Sequence, residues 1–164
     1  MDRLWTPWRY AYVSSVGSAD RGCAFCDILA SGDDRQNLVV YRGKRLFVVL
    51  NLYPYTSGHL LIVAKRHIAC LREADDGELR SFMELARVCE AALAREYRPE
   101  GFNMGFNIGR AAGAGIDRHL HMHLLPRWVG DASFVSTVSE TRVLPEALGQ
   151  TYARLTPYFE GLAL

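Results

Sequence analysis

His119-Leu120-His121-Met122-His123-Leu124-Leu125 alternates imidazoles with large aliphatic side chains. Alternation with period two is the pattern of a β-strand, whose successive side chains point to opposite faces. His119, His121 and His123 therefore share one face. Leu120, Met122 and Leu124 share the other, which faces a core. Three imidazoles on one face are costly to bury without partners. Three of the five histidines in the chain stand in this string, so chance placement is a poor account of it. Two chemical readings compete. His-x-His on a strand can chelate one metal ion. An imidazole can also act as a nucleophile, with its neighbours setting its tautomer and holding an anion.

The flanks favour the nucleophile. Immediately upstream runs Gly109-Arg110-Ala111-Ala112-Gly113-Ala114-Gly115. Small residues let backbone N–H groups approach a phosphate, so a loop of this kind beside a candidate nucleophile reads as an oxyanion cradle. Phe102 to Ile108 alternates apolar and small polar residues, which predicts a strand. Before it, Asp75 to Tyr97 carries Leu79, Phe82, Met83, Ala86, Cys89 and Leu93 at helical spacing. Asp75 and Glu78 supply a capping box, and Pro99 and Gly101 end the helix. Leu38–Tyr41, Leu46–Leu50 and Leu60–Ala64 read as three further strands, the last two apolar enough to be covered on both faces. Pro54 and Gly58 mark the connection between them. Pro145 opens a short C-terminal helix that ends before Pro157. The order β-β-β-α-β-β, then a helix, predicts an α+β fold with a mostly antiparallel five-stranded sheet.

Composition narrows the class. The chain has 164 residues, 49% hydrophobic and 23% charged, which suits one globular domain rather than disorder. Its 19 Lys and Arg against 18 Asp and Glu leave a net charge of +1, so no chain-wide basic footprint points to nucleic acid. Leu46 to Ala64 holds nineteen residues without Asp, Glu, Lys or Arg. That length matches a membrane span. Asn51, Pro54, Ser57, Gly58 and His59 in its middle instead read as a turn between two strands. The N-terminus lacks a basic, apolar leader, and four cysteines are too few for a disulfide scaffold, so the expected location is cytoplasmic.

The histidine string resembles, without mismatch, the His-φ-His-φ-His-φ-φ signature of the histidine triad (HIT) superfamily, with φ apolar. Asn51-Leu52-Tyr53-Pro54-Tyr55 followed by Gly58-His59-Leu60 looks like its nucleoside-binding hairpin. Lys65-Arg66-His67, Gly101-Phe102-Asn103 through Asn107, and Leu125-Pro126-Arg127-Trp128 with Gly130-Asp131 also match. Leu4-Trp5-Thr6-Pro7-Trp8-Arg9 and Val143-Leu144-Pro145 are similar to the bacterial branch related to diadenosine tetraphosphate phosphorylases. The resemblance implies one HIT-like domain: an aromatic N-terminal segment (1–22), a core (23–128) and a C-terminal extension with a short helix (129–164).

The same resemblance implies cleavage of dinucleoside polyphosphates at the α-phosphate through a nucleotidyl-histidine. His121 would be the nucleophile, its other nitrogen held by a backbone carbonyl near His119. His123 would contact phosphate oxygens, and His119 would orient the strand or serve a metal. Asn107 and the N–H groups of Gly113, Ala114 and Gly115 would hold the α-phosphate, Asn51 the ribose, and Leu46, Val48 and Leu60 the base. Phosphate as acceptor makes a phosphorylase, water a hydrolase. The alternative is a nucleotide-binding regulator with slow, incidental hydrolysis. A homodimer joined across a strand edge and a helix is implied, and Mg²⁺ is expected to arrive with the substrate. Asp117-Arg118 and Ser133 depart from the family pattern.

Cys23-x-x-Cys26 is a knuckle that a thiophilic metal could use. A local zinc finger needs two histidines soon after it, and the next are His59 and His67. A redox pair of the thioredoxin kind follows a strand and opens a helix. The resemblance offers a third option, a structural Cys₂His₂ zinc site of Cys23, Cys26, His67 and His119. Cys70 and Cys89 read as small core residues.

Overall fold

The computed structural model describes residues 22–131 and 146–164. The aromatic segment around Trp5 and Trp8, Ser133, and Val143-Leu144-Pro145 lie outside them. The elements run α1 (Ala24–Ser31), β1 (Val39–Arg42), β2 (Leu46–Leu50), β3 (Leu60–Ala64), α2 (Asp76–Tyr97), β4 (Gly101–Phe106), β5 (His121–Arg127) and α3 (Leu148–Leu155). Short 3-10 turns at Leu71–Glu73, Arg110–Ala112 and Thr156–Phe159 join or follow them. The five strands form one antiparallel sheet in the order β1-β2-β3-β5-β4, the α+β architecture expected. No helix among the described residues is long and apolar enough to cross a membrane.

The sheet divides the apolar residues into two sets by parity. Leu46, Val48, Leu50, Leu60, Ile62, Leu120, Met122 and Leu124 join Phe82, Leu85, Cys89 and Leu93 of α2 in one core. Phe47, Val49, Leu61 and Val63 pack on the other face with Phe25 of α1. The ladder pairs Val63 with His121 and Leu61 with His123, so the histidines belong to this second face.

The capping box at the head of α2 forms as expected: Glu78 N–H donates to Asp75 at 2.8 Å and Asp75 N–H to Glu78 at 2.9 Å. Glu78 is buried and takes both Nε (2.7 Å) and Nη2 (2.6 Å) of Arg66, tying the helix start to the segment after β3. The buried stripe of α2 differs from the expected one. Leu85 and Ala92 are buried, whereas Leu79 and Met83 are 37% and 59% exposed. At about 100° per residue, this stripe is turned toward Leu85.

One element and three boundaries also depart from expectation. The segment 24–31, for which the sequence pattern predicts no element, is a helix. The strand read as Phe102–Ile108 ends at Phe106, and Gly109, with φ of 82°, turns the chain into a 3-10 turn. The strand read from His119 starts at His121. Leu120 N–H donates to Ile68 O at 2.6 Å, so His119 and Leu120 follow the turn beyond β3 instead of pairing with β4. The C-terminal helix begins at Leu148, and Pro157 lies in the 3-10 turn after it.

Candidate active site

All three histidines of the string face the side predicted, although His119 precedes the strand. His119 and His121 are buried, and His123 is half-buried. The His121 and His123 rings meet at 5.0 Å between centroids. Phe25 closes over the row, 5.3 Å from His119 and 5.1 Å from His121.

Hydrogen-bond partners fix the proton on each ring. His121 Nδ1 lies 2.8 Å from His119 O, a carbonyl that can only accept. The Nδ1 atom therefore carries the proton and Nε2 keeps its lone pair. At His59, Nδ1 accepts the Tyr55 backbone N–H at 3.1 Å, and Asn51 Nδ2 lies 3.3 Å from the same atom. Its Nε2 then holds the proton and donates to His123 Nδ1 at 3.0 Å. That bond leaves His123 with an Nε2–H donor. Desolvation keeps the rings neutral. Burial pulls the His123 imidazole down to about 4, with a smaller contribution from His121. Burial also lowers His121, opposed by its bond to the His119 carbonyl. The pair thus sets one imidazole lone pair beside one neutral N–H donor, the equipment for nucleophilic attack and for holding an anionic oxygen.

His59, in the hairpin string, is a functional residue that no local sequence signal marks. It is 1% exposed and sits between Gly58 and the first residue of β3. Gly58 has φ of 79°, and a Cβ there would stand 2.9 Å from Leu93 Cδ2. Only glycine both makes this turn and lets the hairpin pack down on α2. Thr56 Oγ1 donates to Pro126 O at 3.0 Å and ties the hairpin to β5.

Other expected residues fall less simply. Asn107 lies one residue past β4 and, with Tyr55, Asn103 and His123, lines a cleft of about 200 Å³. Asn51 closes its own turn, its Oδ1 accepting the Tyr53 N–H at 3.1 Å, beside the bond region of His59. Gly113 N–H donates to Arg110 O at 3.0 Å, so it is used within the 3-10 turn rather than presented to an anion; Ala114 and Gly115 take no part in that bond. No ion pair joins Asp117 to Arg118 among the described residues. Leu46, Val48 and Leu60 are 0–1% exposed in the core against α2, on the face opposite the histidines. Strand parity places Phe47, Val49 and Leu61 on the histidine side instead. A reading displaced by one residue flips every side chain to the wrong face.

Cys23, Cys26, His67 and His119 form a second cluster next to the histidine row, with their ligand atoms all within 4.8 Å of one another. His119 Nδ1 is 3.0 Å from Cys23 Sγ and 3.7 Å from Cys26 Sγ, and His67 Nδ1 is 3.3 Å from Cys26 Sγ. Metal bonds of ~2.0–2.3 Å in a tetrahedron separate ligand atoms by about 3.3–3.8 Å. His119 Nε2–H donates to Ala64 O at 2.6 Å, leaving Nδ1 as the free donor atom, the outer bond that a metal-ligating imidazole makes. The four residues can hold a metal ion. Cys23 caps α1 and Cys26 sits in its first turn, so the pair opens a helix. Cys70 and Cys89 are buried, as expected.

A family model described as the HIT domain matches residues 33–129. The chain belongs to the HIT domain family. Among HIT relatives, the AP-4-A phosphorylase of Mycobacterium tuberculosis is 37% identical over 158 residues, covering 92% of this chain and 80% of that protein. The adenosine 5'-monophosphoramidase of Saccharomyces cerevisiae is 30% identical over 115 residues, covering 70% of this chain and 68% of that one. The crystal structure of a Zn-bound HIT protein from Mycobacterium smegmatis superposes with a TM-score of 0.68 at 24% identity, over 84% of this chain and 92% of that chain.

Proposed function

We propose that the protein cleaves dinucleoside polyphosphates of the diadenosine tetraphosphate type at the α-phosphate through a nucleotidyl-histidine. The observation that carries this reading is the 2.8 Å bond from His121 Nδ1–H to His119 O, which leaves Nε2 unprotonated and its lone pair available. His121 Nε2 attacks the α-phosphorus, and the bond to the bridging oxygen breaks, its electron pair leaving with the polyphosphate. His123 Nε2–H donates to a phosphate oxygen, and Asn107 supplies an amide donor beside it. In the second half, phosphate or water attacks the same phosphorus and the P–N pair returns to Nε2. The 37% identity to an AP-4-A phosphorylase supports phosphate as the acceptor. The base rests on the face of Phe25 and Val49, and Asn51 contacts the ribose.

The four-residue cluster takes zinc: two thiolates and two imidazoles are the donor set that ion favours. Bound there, zinc supplies a structural clamp, since four protein ligands close its tetrahedron. Mg²⁺, expected with the substrate, has no such set of its own among the described residues. The protein works as a homodimer joined across β4 and α2.

His121→Asn keeps the size and polarity of the site but removes the nucleophile. Turnover of diadenosine tetraphosphate should fall by at least ~10³-fold, with no trapped adenylyl-protein in single-turnover acid quench. Retention of wild-type turnover would refute the mechanism. Products separate the acceptors: ADP plus ATP means phosphate, AMP plus ATP means water. A nucleotide-binding regulator would instead show adenylyl-His121 that forms and persists.

A further inference from the structure

The cleft between the Tyr55 ring and the edge strand β4 holds His123 and Asn107, which serve the α-phosphate, at one end, and its Tyr55 and Asn103 end has no assigned occupant. Tyr55 stacks on His123, with ring centroids 6.0 Å apart and planes 10° from parallel. The ladder pairs Gly105 with His123 and Asn103 with Leu125. The cleft therefore runs along β4 from Asn107 to Asn103, over His123 and Leu125 of β5. At ~30 Å³ per water molecule, its volume of about 200 Å³ takes one or two phosphoryl groups.

The lining suits an anion that must come and go. Its polar groups are the Tyr55 hydroxyl, the Asn103 and Asn107 amides and the His123 imidazole, with no carboxylate among them. Arg127 Nη1 donates to Asn103 Oδ1 at 2.6 Å, so the oxygen end of that amide is turned to the guanidinium; Nδ2 gives one N–H to Phe102 O at 3.3 Å and keeps a second for a ligand. Arg127 itself is neutralised by Asp131, whose Oδ1 takes its Nη2 at 2.7 Å. A cleft of neutral donors binds phosphate without the tight grip of a buried cation.

We propose that this cleft is the subsite of the phosphate that departs and of the phosphate that attacks, with Tyr55 Oη and Asn103 Nδ2 as its ligands. The inference rests on the reading of His121 as nucleophile. In a double displacement at phosphorus, the leaving group and the acceptor occupy the same side, opposite Nε2. One subsite then serves both. The leaving polyphosphate takes the electron pair of the broken P–O bond. Hydrogen phosphate then enters, one of its oxygens forms the new P–O bond, the P–N bond breaks back onto Nε2, and a nucleoside diphosphate results.

Calorimetric titration of inorganic phosphate into the AMP-saturated full chain tests the subsite directly, because AMP occupies the α-phosphate position. Wild type should bind phosphate, and Asn103→Ala and Tyr55→Phe should each weaken it at least fivefold. Tyr55→Phe keeps the ring on His123 and the backbone N–H on His59, so a change there reads the hydroxyl alone. The second readout is the ratio of kcat/KM for diadenosine tetraphosphate to that for an adenosine phosphoramidate, whose amine leaving group needs no phosphate subsite. That ratio should fall at least fivefold in both variants. No phosphate binding by wild type, or a smaller change in either readout, overturns the assignment. Phosphate binding with the expected losses, but no adenylyl-histidine in wild type, refutes the nucleophile and leaves the binding subsite standing.

Discussion

His59 stands 64 residues before His123 in the chain and sets its proton. With Tyr55 N–H on Nδ1 and His123 on Nε2, its ring is held at both nitrogens. His59→Ala removes the donor, and His123 is then free to place its proton on either nitrogen. Loss of a correctly protonated donor at the reacting phosphate should lower kcat by roughly 10²-fold with a smaller effect on KM, as stopped-flow kinetics would read. The low proton affinity of the row also fixes a pH dependence. Above about 6.5 His123 is neutral in both folded and unfolded chains, and its contribution to stability is constant. Between 6.5 and about 4 the unfolded chain takes up a proton that the folded site refuses, so stability falls as pH falls. The melting temperature should decline through that window and less steeply in His123→Asn. The acid limb of kcat/KM should lie below the ordinary imidazole range, since burial lowers His121 as well. The alternation of 119–123 was legible because period two is a local rule. His59 was not, because its role exists only through a partner brought near by the β3–β5 pairing. The misplaced base pocket at Leu46, Val48 and Leu60 has a related cause. In strands buried on both faces every residue is apolar, so hydrophobicity alone does not say which parity faces the site.

The helix α1 shows the same limit in a whole element. Its eight residues are too few to be stable alone in water, and nothing in the local pattern around Cys23 announces it. It forms because Phe25 inserts against Phe47 and the histidine row while Cys23 and Cys26 meet His119 and His67. By contrast, the 22 residues of α2, with its capping box, were readable from sequence because the signals are local. Its rotated stripe was not, since Leu79 and Met83 fit the helical period as well as Leu85 does. With zinc in the four-residue cluster, the ion joins α1 to the start of β5. Stripping it with a chelator should lower the melting temperature by about 5 °C or more, on the order of 2 kcal/mol for a chain of this length. Amide exchange should quicken at residues 24–31 and 119–121 while the α2 core stays protected. One equivalent of zinc per chain, lost in Cys23→Ser, is the accompanying metal analysis. An unchanged melting curve after complete metal removal would rule out the clamp.

Across the molecule the two edges of the sheet are treated differently. Beside β1, the C-terminal residues close over Tyr41: Leu164 N–H donates to Tyr41 Oη at 3.0 Å, and Lys44 N–H donates to Leu164 O at 3.1 Å. At β4 no described element covers the edge, and Met104 is 44% exposed. Met104 pairs with Leu124, which belongs to the core against α2, so it projects on the helix side of the sheet. Phe106 of β4 meets Phe82 of α2 at 5.2 Å, and the next residue, Met83, is 59% exposed. An open strand edge flanked by exposed methionines invites pairing with another chain. A second copy, related by a two-fold axis, would match β4 to β4 and α2 to α2, the self-complementary contact of a cyclic dimer. Light scattering should give a mass near 36.8 kDa, twice the 18.4 kDa of one chain. The double variant Met83→Glu, Met104→Glu puts four like charges into that contact and should give 18.4 kDa with an unchanged far-UV spectrum. The cleft beside His123 is bounded by the same strand, so separation of the chains should also raise KM for the polyphosphate. A wild-type monomer at tens of micromolar would exclude the pairing.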